Sequence, residues 1–189
     1  IDDQARLLLD EPFVAGVLLP SAGVVRRGAG RLVHVSAAER QFQERLTGFE
    51  NLRFFTRLAG QPLGEIRAAC RAVGLADDVV DQQVWTYTTG MKVRLAMARA
   101  FIGPADLVLL DEPTRSMDIA GREDIRRALL GLRARCGTAV VVAGHDLETA
   151  AACDRAVLLA RGAIRWQGAG RDEAALRAEC ERAGREEAS

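Results

Sequence analysis

Residues 107–110, Leu-Val-Leu-Leu, form a short unbroken apolar run. It is too brief for a helix and apolar on both faces, which predicts a central parallel strand. A second run rich in valine, residues 138–143, predicts another buried strand ending at Gly144-His145-Asp146, and residues 32–36 predict a third strand. Between these runs the spacing turns helical. Residues 94–100 carry no β-branched side chain, so they predict a helix, which stops where Gly103-Pro104 permits a turn and removes a donor. Thr47-Gly48-Phe49-Glu50 has the form of a capping box and predicts a helix over 51–59 with Leu52, Phe55 and Leu58 on one face, ended by Gln61-Pro62. Residues 65–73 predict a helix closed by Gly74, and 77–83 a short turn or helix. Further on, the pattern gives an amphipathic helix over 123–135 and a hairpin of 156–159 with 163–167 around Arg161-Gly162. The end of the chain predicts a charged, exposed helix, within about residues 171–189. Strands alternating with helices indicate an α/β fold, read as one domain over 1–189 with a helical subdomain at about 48–103.

Residues 1–30 are the least patterned. Apolar runs at 7–9 and 14–19 are broken by Pro12 and Pro20, with turns at Ser21-Ala22-Gly23 and Gly28-Ala29-Gly30. Leu8-Leu9-Asp10-Glu11-Pro12 echoes Leu109-Leu110-Asp111-Glu112-Pro113, but the residues beyond Pro12 do not repeat those beyond Pro113, and the echo is read as coincidence.

Composition narrows the function classes. Lys+Arg and Asp+Glu both number 26, so no net charge argues for nucleic acid, and aromatics at 5% supply no base-stacking platform. The four cysteines, Cys70, Cys136, Cys153 and Cys180, are widely spaced with only two histidines to share a metal, which fits reduced thiols used as core filler. No apolar run approaches the roughly 20 residues a membrane span needs, so a soluble chain is expected. Ile1-Asp2-Asp3-Gln4 is not a signal peptide, and a first residue other than Met suggests a processed or truncated start.

The candidate chemistry gathers between Tyr87 and His145. Asp111 and Glu112 sit where the 107–110 strand ends, the edge at which open α/β sheets bind ligands. An aspartate there can hold Mg²⁺ through water, and the next glutamate can orient a water in line with a γ-phosphate. The turn entering a helix at Gly90 offers backbone N–H groups and a positive dipole end to a phosphate. His145, after the second strand, can donate to a γ-phosphate or fix the water. Simpler assignments hold elsewhere: His34 is a strand residue, Trp85 a packing residue, and Lys92, Arg94 and Arg99 a solvated or subunit-facing stripe.

Several motifs in order resemble the ATP-binding-cassette (ABC) ATPase subunits of transporters, particularly the exporter type. Tyr87-Thr88-Thr89-Gly90-Met91 resembles the signature motif, with Thr at the usual Ser and at the first usual Gly. Residues 107–111 resemble the Walker B strand, Glu112 the catalytic carboxylate, Ser116-Met117-Asp118 the D-loop, and His145 the switch histidine. Arg45-Leu46-Thr47-Gly48-Phe49-Glu50-Asn51-Leu52 resembles the segment after the Q-loop that faces the transmembrane partner, and 154–162 the segment after the histidine. The resemblance covers about residues 30–168, most densely 87–162.

It implies a P-loop-NTPase-like core with an inserted helical subdomain, ATP and Mg²⁺ as cofactors, and two such domains sandwiching two ATP molecules. Asp111 would then be the metal residue, Glu112 and His145 the catalytic pair, and Tyr87, Thr88, Thr89, Gly90, Met91 and Asp118 the contacts to a nucleotide. Implied partners are a second ABC ATPase subunit, in a homodimer or more readily a heterodimer, and a transmembrane permease subunit, with no nucleic acid. The implied location is cytoplasmic, peripheral on the inner face of the membrane.

The family's phosphate loop, Gly-x-x-x-x-Gly-Lys-Ser/Thr, does not occur in the sequence. By position it should fall near residues 1–8, where Asp2 and Asp3 would repel a triphosphate; the chain's single lysine is Lys92. Residues 35–40 hold no glutamine for a Q-loop, although Gln41 and Gln43 are near, and no adenine-stacking aromatic is identifiable. The N-terminal part is therefore read as truncated or degenerate. Three readings stay open: a degenerate subunit that donates its signature to a partner's ATP, a fragment of an ordinary ABC ATPase, and a non-catalytic module docking a permease through residues 36–60.

Overall fold

The computed structural model describes Val24 and residues 30–36, 42–115 and 117–187. The expected phosphate-loop position, the 8–12 echo, the turns at 21–23, most of the expected Q-loop, Gln41 and Ser116 lie outside these. The described residues divide into two compact units, one ending at Gly144 and one beginning at His145.

In the first unit the sheet is a three-stranded parallel ladder in the order β1 (Leu32–Ser36), β2 (Leu107–Asp111), β3 (Ala139–Ala143). Val33, Val35, Val108 and Leu110 point to one face and are buried in the main core. The expected strand at 107–110 is present and one residue longer. β3 corrects an expectation: its residues run from exposed to half-buried. Among the described residues it pairs with β2, and Val140 and Val142 pack against the main core.

Between β1 and β2 the chain makes α1 (Gly48–Leu58), α2 (Ile66–Ala72), α3 (Asp77–Val80) and α4 (Thr89–Ala98), with 3₁₀ turns at Leu63–Glu65, Val84–Thr86 and Arg99–Phe101. The capping box forms at both ends: the Glu50 N–H donates to Thr47 Oγ1 at 3.1 Å and the Thr47 N–H to Glu50 Oε2 at 2.9 Å. That backbone donor holds the Glu50 carboxyl below its ordinary range. The buried face of α1 is Gly48, Asn51, Leu52 and Thr56. Phe55 is half-buried and Leu58 is 76% exposed, so the expected Leu52/Phe55/Leu58 face holds only in part. The core that these helices share with β1 and β2 centres on Leu52, Ile66, Val80, Val84, Leu95 and Met97, all fully buried.

Two other expectations are overturned here. Trp85 is 62% exposed, its indole N–H donating to Gln83 Oε1 at 2.6 Å, so it is not a packing residue. For the Lys92, Arg94 and Arg99 stripe it is the solvated reading that fails: Lys92 pairs with Glu44 at 3.0 Å, Arg94 with Asp124 at 2.9 Å, and Arg99 lies 4.2 Å over the Phe55 ring. Burial lowers the Arg99 pKa, and the nearby Arg31 lowers it further. Arg31 itself reaches the end of the 99–101 turn, donating to the carbonyls of Ile102 at 2.7 Å and Pro104 at 3.0 Å. His34 is a strand residue, as expected, and its Nε2 has no hydrogen-bond partner among the described residues.

After β2, α5 (Ile119–Cys136) starts earlier than the apolar periodicity suggested. The second unit contains α6 (Leu147–Ala151), the hairpin β4 (Arg155–Ala160) and β5 (Ala163–Ala169), and α7 (Glu173–Glu187). Arg161 and Gly162, at φ 52° and 72°, give the turn that two-residue hairpins favour. α7 is charged but not wholly exposed, since Leu176 is 3% exposed. Cys70 is buried as core filler, whereas Cys153 and Cys180 are only half-buried. Among the described residues no helix is long and apolar enough to cross a membrane.

Candidate functional site

The register of the parallel ladder aligns Ser36, Asp111 and Ala143 in one row, so the strands end together at their carboxyl edge. Asp111 closes the central strand there. Glu112 follows with φ 49°, a left-handed conformation uncommon for a residue with a Cβ and costing on the order of 1 kcal/mol. It is held by its neighbours: the Glu112 N–H donates to the Ala143 carbonyl at 2.9 Å, and its own carbonyl accepts from the Arg115 N–H at 3.0 Å. Pro113 and Thr114, inside that turn, are buried. A Cβ built on Gly144 would lie 3.6 Å from Glu112 Oε2, so the carboxylate rests beside the bare backbone that follows β3. Glu112 is thus a fixed, strained residue next to a strand-end aspartate, at the edge where open α/β sheets bind ligands.

The second turn precedes α4. Tyr87 is buried and its hydroxyl donates to the Val79 carbonyl at 2.7 Å; burial pushes its pKa to about 12, so it is neutral at physiological pH. This anchors the chain just before Thr88, the N-cap, whose Oγ1 accepts the Met91 N–H at 3.3 Å. Thr88 is exposed, and Thr89 and Gly90 are half-buried. A Cβ at Gly90 would meet nothing nearer than Thr88 Oγ1 at 3.9 Å, leaving the backbone open to an approaching group. The first N–H groups of a ten-residue helix, carrying the positive dipole end, face that opening without intrahelical partners. Met91 is packed against the main core.

The third turn is at Met117 and Asp118. Asp118 Oδ1 accepts the Gly121 N–H at 2.8 Å and so caps α5. The Arg122 Nε donates to the Met117 carbonyl at 3.3 Å. His145 is exposed and lies in the second unit, immediately before Asp146, which caps α6 by accepting from the Glu148 N–H at 3.2 Å and the Thr149 hydroxyl at 2.6 Å.

Within the first unit, then, Asp111 and Glu112 stand together, and the turns at Thr88 and Asp118 each cap a helix. Among the described residues no three His, Cys, Asp or Glu side chains cluster to form a protein-only metal cage. The donor set still suits Mg²⁺, which commonly takes one or two carboxylates and completes its shell with water and phosphate oxygens. Asp111 would hold it, with Glu112 adjacent. Sequence reasoning missed the long-range ties made near these turns. Arg94 donates to the Val73 carbonyl at 3.0 Å and to Asp124 at 2.9 Å, and the two glycines that make room for it, Gly74 and Gly121, carried no signal beyond a helix stop.

Residues 21–115 match the protein family described as "ABC transporter". A fluoroquinolones export ATP-binding protein of Mycobacterium tuberculosis is 38% identical over 122 residues, 64% of this chain and 40% of that protein. The ABC transporter ATP-binding protein NatA of Bacillus subtilis is 29% identical over 173 residues, 83% of this chain and 70% of that one. Among solved structures, a dimeric ATP-binding cassette in a post-hydrolysis state bound to ADP and Pi superposes with a TM-score of 0.66 at 22% identity, over 75% of this chain and 63% of that one. The chain spans about two fifths of the length of the first curated relatives it matches. The fold is that of an ABC ATPase core, and the chain belongs to the ABC transporter family as part of its ATP-binding domain.

Proposed function

We propose that this chain is the ATP-binding part of a membrane exporter, and that it works at the interface with a second ABC ATPase subunit. The observation that carries the reading is the Asp111–Glu112 pair at the shared carboxyl edge of the ladder, with Glu112 locked at φ 49° by the Ala143 carbonyl. In this reading Asp111 would hold Mg²⁺ through water, Glu112 would polarise an attacking water and His145 would donate to a γ-phosphate, wherever a phosphate loop completes this chain's own site. The turn from Tyr87 to Met91, with Asp118, receives the nucleotide held by the second subunit: Thr88 shapes the helix start, and the N–H groups of Thr89 and Gly90 meet the phosphate. In this reading these 189 residues, which hold no Gly-x-x-x-x-Gly-Lys-Ser/Thr loop, donate the signature turn and do not by themselves make a complete ATP site. The second ATPase subunit is, in this reading, a different chain. Exposed Phe54 (61%) and Leu58 on α1 support a transmembrane permease as the further partner. The corresponding location is cytoplasmic, peripheral on the inner face of the membrane.

Two measurements test this. Titration of the chain alone with Mg·ATP in a calorimeter gives no binding; micromolar affinity overturns the incomplete-site claim. In the assembly with the ATPase subunit that copurifies with it, Gly90→Asp places a carboxylate against the incoming phosphate and abolishes that subunit's ATP hydrolysis, while Glu112→Gln leaves it largely intact. Hydrolysis indifferent to Gly90→Asp rules out signature donation.

A further inference from the structure

The guanidinium of Arg94 joins three elements that are far apart in sequence. Its Nη1 donates at 3.0 Å to the carbonyl of Val73, the residue that ends α2, and its Nη2 at 2.9 Å to Asp124 Oδ2 on α5. Asp124 also pairs through its other oxygen with Arg127. The Arg94 side chain is 16% exposed. Space for it is left by two glycines: a Cβ at Gly74, whose φ is +76°, would overlap Nη1, and one at Gly121 would lie 3.6 Å from Nη2.

The positions of these groups connect the site's turns. Arg94 stands one helical turn after Gly90 on the same face of α4. Asp124 stands one turn beyond Gly121, the residue whose N–H Asp118 caps. We propose that Arg94 is a positioning residue that locks the Thr88–Met91 turn to the Asp118 turn, so that the two turns move as one body. This rests on the proposed function, in which both turns face a nucleotide. A planar fork of five fixed donors spans a carbonyl and a carboxylate together; a lysine in its place reaches only one with good geometry. Asp124 is 36% exposed, so solvent screens the pair from that side, and the contribution of this contact lies more in geometry than in global stability.

The test has two arms on the full chain. Amide hydrogen exchange in Arg94→Lys and Asp124→Asn, without nucleotide, accelerates about threefold or more at Met91 and Lys92 and also at Gly121 and Arg122. Combining the two substitutions adds nothing beyond Arg94→Lys alone at these turns, because both break the Arg94–Asp124 contact. Acceleration at one turn only, at neither, or additive effects overturn the lock. In the assembly with the second ATPase subunit, both variants lower kcat about tenfold with KM for ATP changed less than about twofold. Unchanged kcat alongside an inactive Gly90→Asp control refutes the positioning role. If Gly90→Asp is itself harmless, the signature reading fails, and the exchange arm decides the lock on its own. Should Arg94→Lys not fold, judged by circular dichroism, Asp124→Asn keeps the Val73 bond and carries the same expectations.

Discussion

Gly48 opens α1 at a point where a side chain has no room. A Cβ there would overlap the Tyr87 hydroxyl and lie 3.2 Å from Tyr87 Cζ and 3.1 Å from the Val80 carbonyl oxygen. Gly48→Ala therefore forces the ring away from Val79, whose carbonyl accepts the hydroxyl at 2.7 Å. Overpacking of this kind costs about 1–3 kcal/mol, offset by about 0.4–1 kcal/mol because alanine restricts the unfolded chain. The net expectation is about 1–2 kcal/mol of destabilisation. Tyr87→Phe removes one of the hydrogen bonds to the Val79 carbonyl, which still accepts the Gln82 N–H at 3.0 Å, and costs about 0.5–1.5 kcal/mol. It also removes the oxygen that the new methyl group of Gly48→Ala would strike, so the double variant should be little worse than Tyr87→Phe alone. The coupling energy is then favourable by about 1 kcal/mol. Urea unfolding monitored by far-UV circular dichroism, with m-values checked for equality, measures all four corners of the cycle. Strict additivity, or a neutral Gly48→Ala, would refute the reasoning.

Thr47→Ala removes the hydroxyl half of the capping box and should cost about 1 kcal/mol, lowering the thermal midpoint, while Thr47→Ser restores it; no change in midpoint would show that the box is ornamental. Stability should also fall in alkali. Burial raises the Cys70 thiol from its ordinary 9 to about 12, so between those values the unfolded chain has lost a proton that the folded chain keeps. The unfolded state then binds fewer protons and stability declines as pH rises through that window, with no effect below it. Tyr87, raised from 10 to about 12 by burial, adds to the upper part. Urea midpoints from about pH 8 to about pH 11 should decline, and less steeply in Cys70→Ala; a flat profile would contradict the burial of both groups.

What the sequence revealed depended on whether the signal was local. The run at 107–110 became β2 because four consecutive apolar residues in a strand need cover on both faces. Thr47 and Glu50 formed their box because both partners lie within one turn, and Arg161-Gly162 made its hairpin turn for the same reason. Long-range partners were not legible. Lys92 met Glu44 across 48 residues and Arg94 met Asp124 across 30, so charges assigned to a solvated face became ties between elements. Trp85 went the other way, exposed because its neighbours Val84 and Tyr87 already fill the core at that turn. The strand-end acids were readable by position, but the left-handed backbone of Glu112 was not. It is imposed by the Ala143 carbonyl, which only the folded ladder brings near.

The insertion of α1–α4 between neighbouring strands bears on the order of folding. β1 and β2 are adjacent in the ladder yet separated by residues 37–106, so pairing them from a free chain means closing a long loop before any contact repays it. Helices held by local caps and a dense core of Leu52, Ile66, Leu95 and Met97 can assemble first. Once formed, they shorten the effective tether between the strands to the ends of one folded body. Substitutions in that helical core should consequently slow folding, whereas substitutions in β3 should chiefly speed unfolding.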